Sequence, residues 1–292
     1  MMFKMAKTTV FCFEKSVSLQ AMMKKIMFKK AFFLILTIFI VSCNEYNKVL
    51  KSNDSAKKYD MAVKLYEEKK HFKAFPLLEE LVTVYRGTDK ADKIYYYYAY
   101  CSYHMGDYEY ANYHFKNYVK TFSNSEFAEE CFYMSAYTLY LDSPEATLDQ
   151  TNTLSAIAEM QMFLDKYPES KRKAEANKLI DQLYLKLETK AYNNCSQYYK
   201  TENYNSAIIE IQNTLEDFPA TKYAEELSFL NLKSNFLYAI NSIETKKEER
   251  FQKTLKAYKS FVEKYPSSTF LPEAESFYSN TLKSLNKPKS NT

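Results

Sequence analysis

The sequence holds only two glycines, Gly87 and Gly106, and no tryptophan. A phosphate-cradling loop or a dinucleotide fingerprint needs several clustered glycines for close backbone approach, so both are excluded. The same scarcity argues against a β protein built on tight turns. The three histidines, His71, His104 and His114, fall at no metal-ligand spacing, and no cysteine pair stands at CxxC spacing. No metal site and no cofactor are therefore expected. Carboxylates are spread as solvated helix faces without a converging acid, base or nucleophile, which points away from an enzyme. Long apolar runs are also missing. The run Ala31–Val41 is well short of the ~20 residues that a spanning helix requires.

What the chain has instead is tyrosine, 28 residues of it, written at a fixed period. Tyr59, Tyr96 and Tyr133 are 37 residues apart, as are Val63, Tyr100 and Tyr137, then Tyr66, Tyr103 and Tyr140, and finally Ala62, Ala99 and Ala136. The second half of the unit repeats as Ala74 with Ala111, Leu78 with Phe115, Leu81 with Tyr118 and Tyr85 with Phe122. A period in this range predicts a stacked array, in which each unit leaves an apolar face for its neighbour to cover.

Each unit reads as two helices. Asp89–Met105 contains no Gly or Pro, Gly106-Asp107 breaks it, and Tyr108 onward resumes helical spacing at Ala111, Phe115, Tyr118 and Phe122. Gly-Asp-Tyr-x-x-Ala with an aromatic four residues on resembles the core of the tetratricopeptide repeat (TPR). An aromatic-Pro-x-Ser/Thr element closes repeats at Tyr167-Pro-Glu-Ser170, Phe218-Pro-Ala-Thr221 and Tyr265-Pro-Ser-Ser268, with degenerate forms at Tyr85–Thr88 and Phe122–Ser125. Pro ends one helix and the hydroxyl two residues on is expected to cap the next. The fold class is thus all-α, and the resemblance implies a right-handed α-solenoid of five TPR-like helix pairs. Repeats are expected at about 54–86, 89–123, 125–168, 171–219 and 221–266, with a capping helix at 270–286 and a disordered tail at 287–292. The third repeat is longer by an insertion, Leu141–Thr153, after which Thr151 or Thr153 is expected to cap the helix.

The front of the chain reads differently. Lys24, Lys25, Lys29 and Lys30 precede the short apolar run, and Ile40-Val41-Ser42-Cys43 closes it. A basic start, a short apolar middle and a small residue before the cut describe a secretory signal over 1–42, with Met23 giving a start of typical length. The cysteine after that small residue resembles the bacterial lipobox, although Ile40 and Val41 stand where Leu and Ala or Ser are commonest. The resemblance implies that Cys43 carries N-acyl and S-diacylglycerol chains, and 43–51 reads as a polar tether from that anchor. Asn44 rather than Asp follows, which points to the outer membrane. Residues 1–42 hold seven Lys and one Glu, so of 40 basic and 36 acidic residues the rest of the chain keeps 33 and 35. Its net charge is −2, and no electrostatic case for nucleic acid survives. Cys101, Cys131 and Cys195 read as small buried hydrophobes; one disulfide among them stays open.

A lipobox, a short tether and five TPR-like repeats resemble the BamD-like family of outer-membrane assembly lipoproteins. The match is carried by Ser143-Pro144 to Thr153, Ala156-Ile157, Phe163-Leu164, Tyr167–Ser170, Tyr198-Tyr199-Lys200 and Tyr204-x-x-Ala207-Ile208. The resemblance implies a periplasm-facing scaffold, lipid-anchored in the outer membrane of a Gram-negative bacterium. It would dock on the POTRA domains of a BamA-like barrel protein through about Lys171–Leu285, beside other Bam lipoproteins, and receive unfolded β-barrel substrates. The alternative is another TPR lipoprotein, a secretion or pilus pilot or a glycan binder. On the first helices Tyr59, Tyr96, Tyr100, Tyr133 and Tyr137 form a stripe about 100° from the stacking positions, and this ladder is the candidate peptide-receiving surface. Tyr66, Tyr103 and Tyr140 are expected to be partly buried. Tyrosines at helical spacing also serve simply to pack, and that reading stands beside the first.

Overall fold

The computed structural model describes residues 45–286. Cys43, the signal expected over 1–42 and the tail expected over 287–292 lie outside the described residues. Two compact units divide at Ala128, and no strand occurs among the described residues. The first unit contains α1 (45–50), α2 (Ser55–Glu67), α3 (His71–Val84), α4 (Ala91–His104) and α5 (Tyr108–Thr121). The second holds α6 (Ala128–Asp142), α7 (Thr151–Lys166), α8 (Lys173–Lys200), α9 (Tyr204–Asp217), α10 (Ala224–Ile240), α11 (Glu244–Lys264) and α12 (Leu271–Leu285).

Consecutive helices pack on one another from α2 to α5 and from α7 to α12, Tyr133 of α6 meets Phe163 of α7, and α2 also meets α4, α8 meets α10, and α10 meets α12. Contact with the next helix and the next but one is the pattern of a helical solenoid. In the first unit the core joins Ala62 and Leu65 of α2, Leu77, Leu78 and Leu81 of α3, and Ile94 of α4. Tyr46 and Leu50 of α1 pack against the same core. The stretch expected as a polar tether is therefore helical and docked over its described part, because Tyr46 and Leu50, four residues apart, fall on one face.

The turns inside three pairs share one geometry. Lys69, Gly106 and Glu202 have φ of 58°, 80° and 61°. After each, an amide reaches back five residues: Lys70 to the carbonyl of Leu65 at 2.8 Å, Asp107 to Ser102 at 3.2 Å, and Asn203 to Tyr198 at 2.9 Å. These are Schellman closures, which need a left-handed residue just past the helix. Only the second uses glycine.

At the ends of the pairs, Phe122, Tyr167, Phe218 and Tyr265 leave the helix at φ between −119° and −131°. A following proline enforces such a conformation in three of them, and Phe122 adopts it without one. The hydroxyls of Ser125, Ser170, Thr221 and Ser268 then accept the amide two residues on, at 3.1–3.3 Å. Their carbonyls accept the amide three residues on, at 3.1–3.3 Å. The expected caps thus sit earlier than a true N-cap: where the N-cap of the following helix is defined, at Arg172, Tyr223 and Phe270, it makes no side-chain bond. Ser125 also donates to Asp92 at 2.8 Å and Ser170 to Glu129 at 2.6 Å. The closing serine thereby ties the two ends of its own repeat together, and the two acids are themselves 37 residues apart.

The insertion before α7 is closed differently from expectation. Asp149 accepts the Thr151 amide at 2.9 Å, whereas Thr153 is buried and donates to Gln150 Oε1 at 2.7 Å. A buried hydroxyl must find a partner inside, and the carboxylate of Asp149 is the better acceptor for a helix start. From α8, Lys186 donates to the Ser143 carbonyl at 3.1 Å and hydroxyl at 2.7 Å, and Lys190 donates to the Leu148 carbonyl.

Because an added Cβ at Gly106 would meet nothing within 4 Å, Gly106→Ala isolates the cost of the left-handed backbone. It should destabilise the fold by about 1–2 kcal/mol, whereas Lys69→Gly should stabilise it by about 1 kcal/mol. Urea midpoints of the two variants check both signs.

Candidate functional site

Four consecutive tyrosines on α4 point in four directions, since successive side chains turn by about 100°. Tyr98 is core, stacked on Phe75 of α3 at 4.8 Å and edge-on to His114 of α5 at 4.5 Å. Tyr95 leans on α5, near His114, Tyr118 and Phe122. On the other side Tyr97 packs on Tyr66 of α2 at 4.3 Å, and Tyr96 packs on Phe127 and on Tyr100, both at 4.6 Å. His71 of α3 stacks on His104 of α4 at 4.2 Å beside Tyr66. The result is a patch of half-exposed rings, Tyr66, Tyr96, Tyr97 and Tyr103, laid around a buried floor. Tyr59 is half-exposed too, beside Tyr85 and under the Lys90 ammonium, 4.6 Å from its ring centroid.

Tyr100 supplies the floor: it is 8% exposed and meets Phe115 edge-on at 5.0 Å. In the second unit Tyr133 is 2% exposed, against Phe163 at 5.5 Å and covered by the Arg172 guanidinium at 4.5 Å. These two candidates of the ladder are therefore interior residues and present no receiving surface of their own. The reason is local: an aromatic ring from the following helix of the pair fills the space that the stripe would have left open. Tyr137 remains half-exposed, stacked on Tyr133 and on Tyr140, each at 5.8 Å. Tyr140 donates to Gln182 at 2.7 Å. Tyr66, Tyr103 and Tyr140 are each partly buried.

The repeat register did not mark Tyr97, His71 or His104. The two histidines are 33 residues apart, off the 37-residue period, so only folding brings them together. Phe127 was equally silent, being a turn residue without a counterpart in the period.

Burial governs the titratable groups here. Desolvation raises Tyr95 to about 12 and also raises Tyr98 and Tyr133. His71 and His104 are lowered by burial, and His104 further by His71 and Lys69. His114 is lowered to about 4. Cys101 and Cys195 are pushed up to about 12 and about 11, so both stay as thiols. With Cys131 they are free and buried. Among the described residues no group of three His, Cys, Asp or Glu side chains could hold a metal ion. What the patch offers chemically is a wide aromatic surface rimmed by hydroxyls and by Lys90 and Lys93, suited to apolar and aromatic side chains.

The sequence pattern of the family described as YfiO, outer membrane lipoprotein, matches residues 51–235 and, again, residues 189–286. The chain belongs to this family. It is thus an all-helical member of an outer membrane lipoprotein family, and the second match runs from within α8 to α12, where the pattern is met anew. No curated protein matches the sequence. Among solved structures, the TPR domain of P58(IPK) is 14% identical, with 84% of this chain aligned, 64% of that chain covered and a TM-score of 0.38. The chain therefore spans just under two thirds of that protein. A TPR repeats protein from Bacteroides fragilis is 15% identical, with 80% of this chain and all of the other aligned and a TM-score of 0.40. No helix among the described residues is long and apolar enough to cross a membrane.

The buried His114 makes a pH dependence calculable. In the fold it stays neutral down to about pH 4, whereas in the unfolded chain it takes a proton near 6.5. Between those values the unfolded state binds more protons, so stability falls as pH drops from about 6.5 to about 4 and is flat below. His71 and His104 act in the same direction. His114→Phe should remove roughly 2–3 kcal/mol of the acid loss between pH 7 and pH 4.5, read as the difference between the urea-unfolding free energies of wild type and variant.

Proposed function

We propose that this protein is a lipid-anchored scaffold of the outer-membrane β-barrel assembly machinery, facing the periplasm. It receives unfolded barrel proteins and docks on a BamA-like barrel protein beside other Bam lipoproteins. The observation that carries the reading is the family pattern running through residues 51–286, directly behind a lipobox cysteine. Cys43 is the proposed lipidation site and needs no other cofactor. The C-terminal helices α8–α12 are assigned to the POTRA domains of the BamA-like partner. The half-exposed tyrosines of the first unit, Tyr59 and Tyr96 foremost, are assigned to the substrate, with Tyr100 beneath them as support. Tyr137 is the corresponding candidate of the second unit, resting on the buried Tyr133. Barrel strands alternate apolar and polar positions and present aromatic rings, which such a patch can stack against at ~0.5–1.5 kcal/mol per pair.

Two experiments test the anchor and the docking. Cys43→Ala should move the protein from the membrane to the soluble fraction after a salt wash while its thermal unfolding is unchanged, since two or more acyl chains are what hold such a protein stably. Deletion from Thr221 onward should abolish co-purification with the BamA-like barrel from solubilised membranes. The first unit should stay folded, because its core is built from α1–α5, all of which the variant keeps; the core of α8 and α9 loses Leu227 of α10 in this variant. Retention of the barrel would refute the assignment of α8–α12.

The receiving surface is tested apart from the anchor. Tyr59→Ser combined with Tyr96→Ser should weaken binding of a C-terminal barrel peptide about tenfold, ~1.4 kcal/mol, and leave the barrel partner bound. Melting curves taken in parallel separate loss of the surface from loss of the fold.

A further inference from the structure

In the first unit Phe72 stands on the first turn of α3 with 77% of its surface exposed, more than any other large apolar side chain among the described residues. Lys69, Lys70 and Lys73 surround it in sequence and are exposed as well. Lys70 is paired with Glu68 at 2.6 Å, and Lys69 and Lys73 outnumber the exposed Glu67 beside them. A solvated phenyl ring flanked in sequence by exposed lysines is the composition of a membrane-interface contact, in which the apolar group enters the headgroup layer and ammonium groups meet phosphates.

What selects the bilayer as occupant is the position of α1. Its Tyr46 hydroxyl donates to the carbonyl of Lys73 at 3.1 Å, and the Lys73 ammonium lies 5.5 Å from the centre of the Tyr46 ring. Tyr46 and Leu50 also pack on the core of the unit. The first described helix therefore lies against the start of α3, at Lys73, the residue after Phe72. Cys43 is only three residues before Tyr46, and three residues span at most about 10 Å. A leash of that length cannot carry the start of α3 beyond the headgroup layer and the water next to it.

We propose that the N-terminal end of α3, with Phe72 at its centre and Lys69 and Lys73 at its rim, rests on the phospholipid surface in which the protein is anchored. The inference relies on the lipidation of Cys43 proposed above. Its consequence is orientation: the first unit is held to the membrane by two points, the acyl chains and Phe72, and does not swing freely on a tether.

The test uses the full lipidated chain on vesicles of phosphatidylethanolamine and phosphatidylglycerol. A nitroxide is attached at Phe72→Cys; Cys101, Cys131 and Cys195 are buried and do not compete for it. The expected result is that vesicles raise the collision rate of the label with oxygen and lower that with a water-soluble nickel complex, each several-fold. The Cys43→Ala form in solution should give aqueous values for both. Adding Tyr46→Ala to the lipidated chain should return the label toward water while the protein still sediments with vesicles. A label that stays aqueous on sedimenting protein overturns the contact and leaves the anchor standing. Failure of the lipid-modified preparation to sediment with vesicles overturns the anchor and the contact together.

Discussion

Alanine marks the close contacts of the helix pairs: Ala62 and Ala74 in the first pair, Ala99 and Ala111 in the second, Ala136 and Ala156 in the third, and Ala207 in the fourth carry no exposed surface. A methyl group is small enough to let two helix axes approach, and unlike glycine it favours the helix that carries it. Everything else depends on these approaches being made. A helix pair leaves an apolar face that it cannot cover itself, and the face is buried only if the following pair comes close enough to reach it. The turns serve that end. A left-handed residue at Lys69, Gly106 or Glu202 reverses the chain within three residues, and the serine closures set the entry of the next pair.

Tyrosine fills the space around the alanines, and its hydroxyl explains why phenylalanine is not simply used throughout. Tyr118 bonds Asp92 and Ser125, Tyr140 bonds Gln182, and Tyr192 bonds Glu226 at 2.5 Å. The body of the ring supplies apolar area while the tip finds a polar partner on a different helix, over sequence separations of 26–42 residues to the first-named acid or amide. Such bonds favour one register of packing over its neighbours, which a purely apolar ring does not do. The same ring, where its pair leaves it half-covered, stays half-exposed. Tyr96 and Tyr100 sit one helical turn apart and divide these roles between them.

The first unit's acid sensitivity centres on its histidines, of which His114 is buried, His71 half-buried and His104 exposed. All three lie among aromatic rings, and desolvation lowers the pKa of each, so acid acts on ring packing. Most ion pairs are exposed or half-exposed and contribute little. Lys58 is different: its side chain is buried and its ammonium reaches Glu80 of α3.

The helix pairs are legible from the residues alone, because period, small residues and breakers are local signals written several times over. The same signals also determined that Ala62, Ala99 and Ala136 face inward. Tyr100 and Tyr133 were not decidable in the same way. Helical spacing states the direction in which a side chain leaves its own helix, but not what arrives from that direction. Phe115, Phe163 and Arg172 arrive from other elements and close over those two rings, while Tyr96 and Tyr137 stay half-open. Residues 45–50 pose the same problem in reverse: a polar composition reads as a tether, and only the shared core shows that Tyr46 and Leu50 have a place to dock. Periodicity is a property of one helix, whereas burial and access belong to pairs of elements, and only the tertiary structure brings those pairs together.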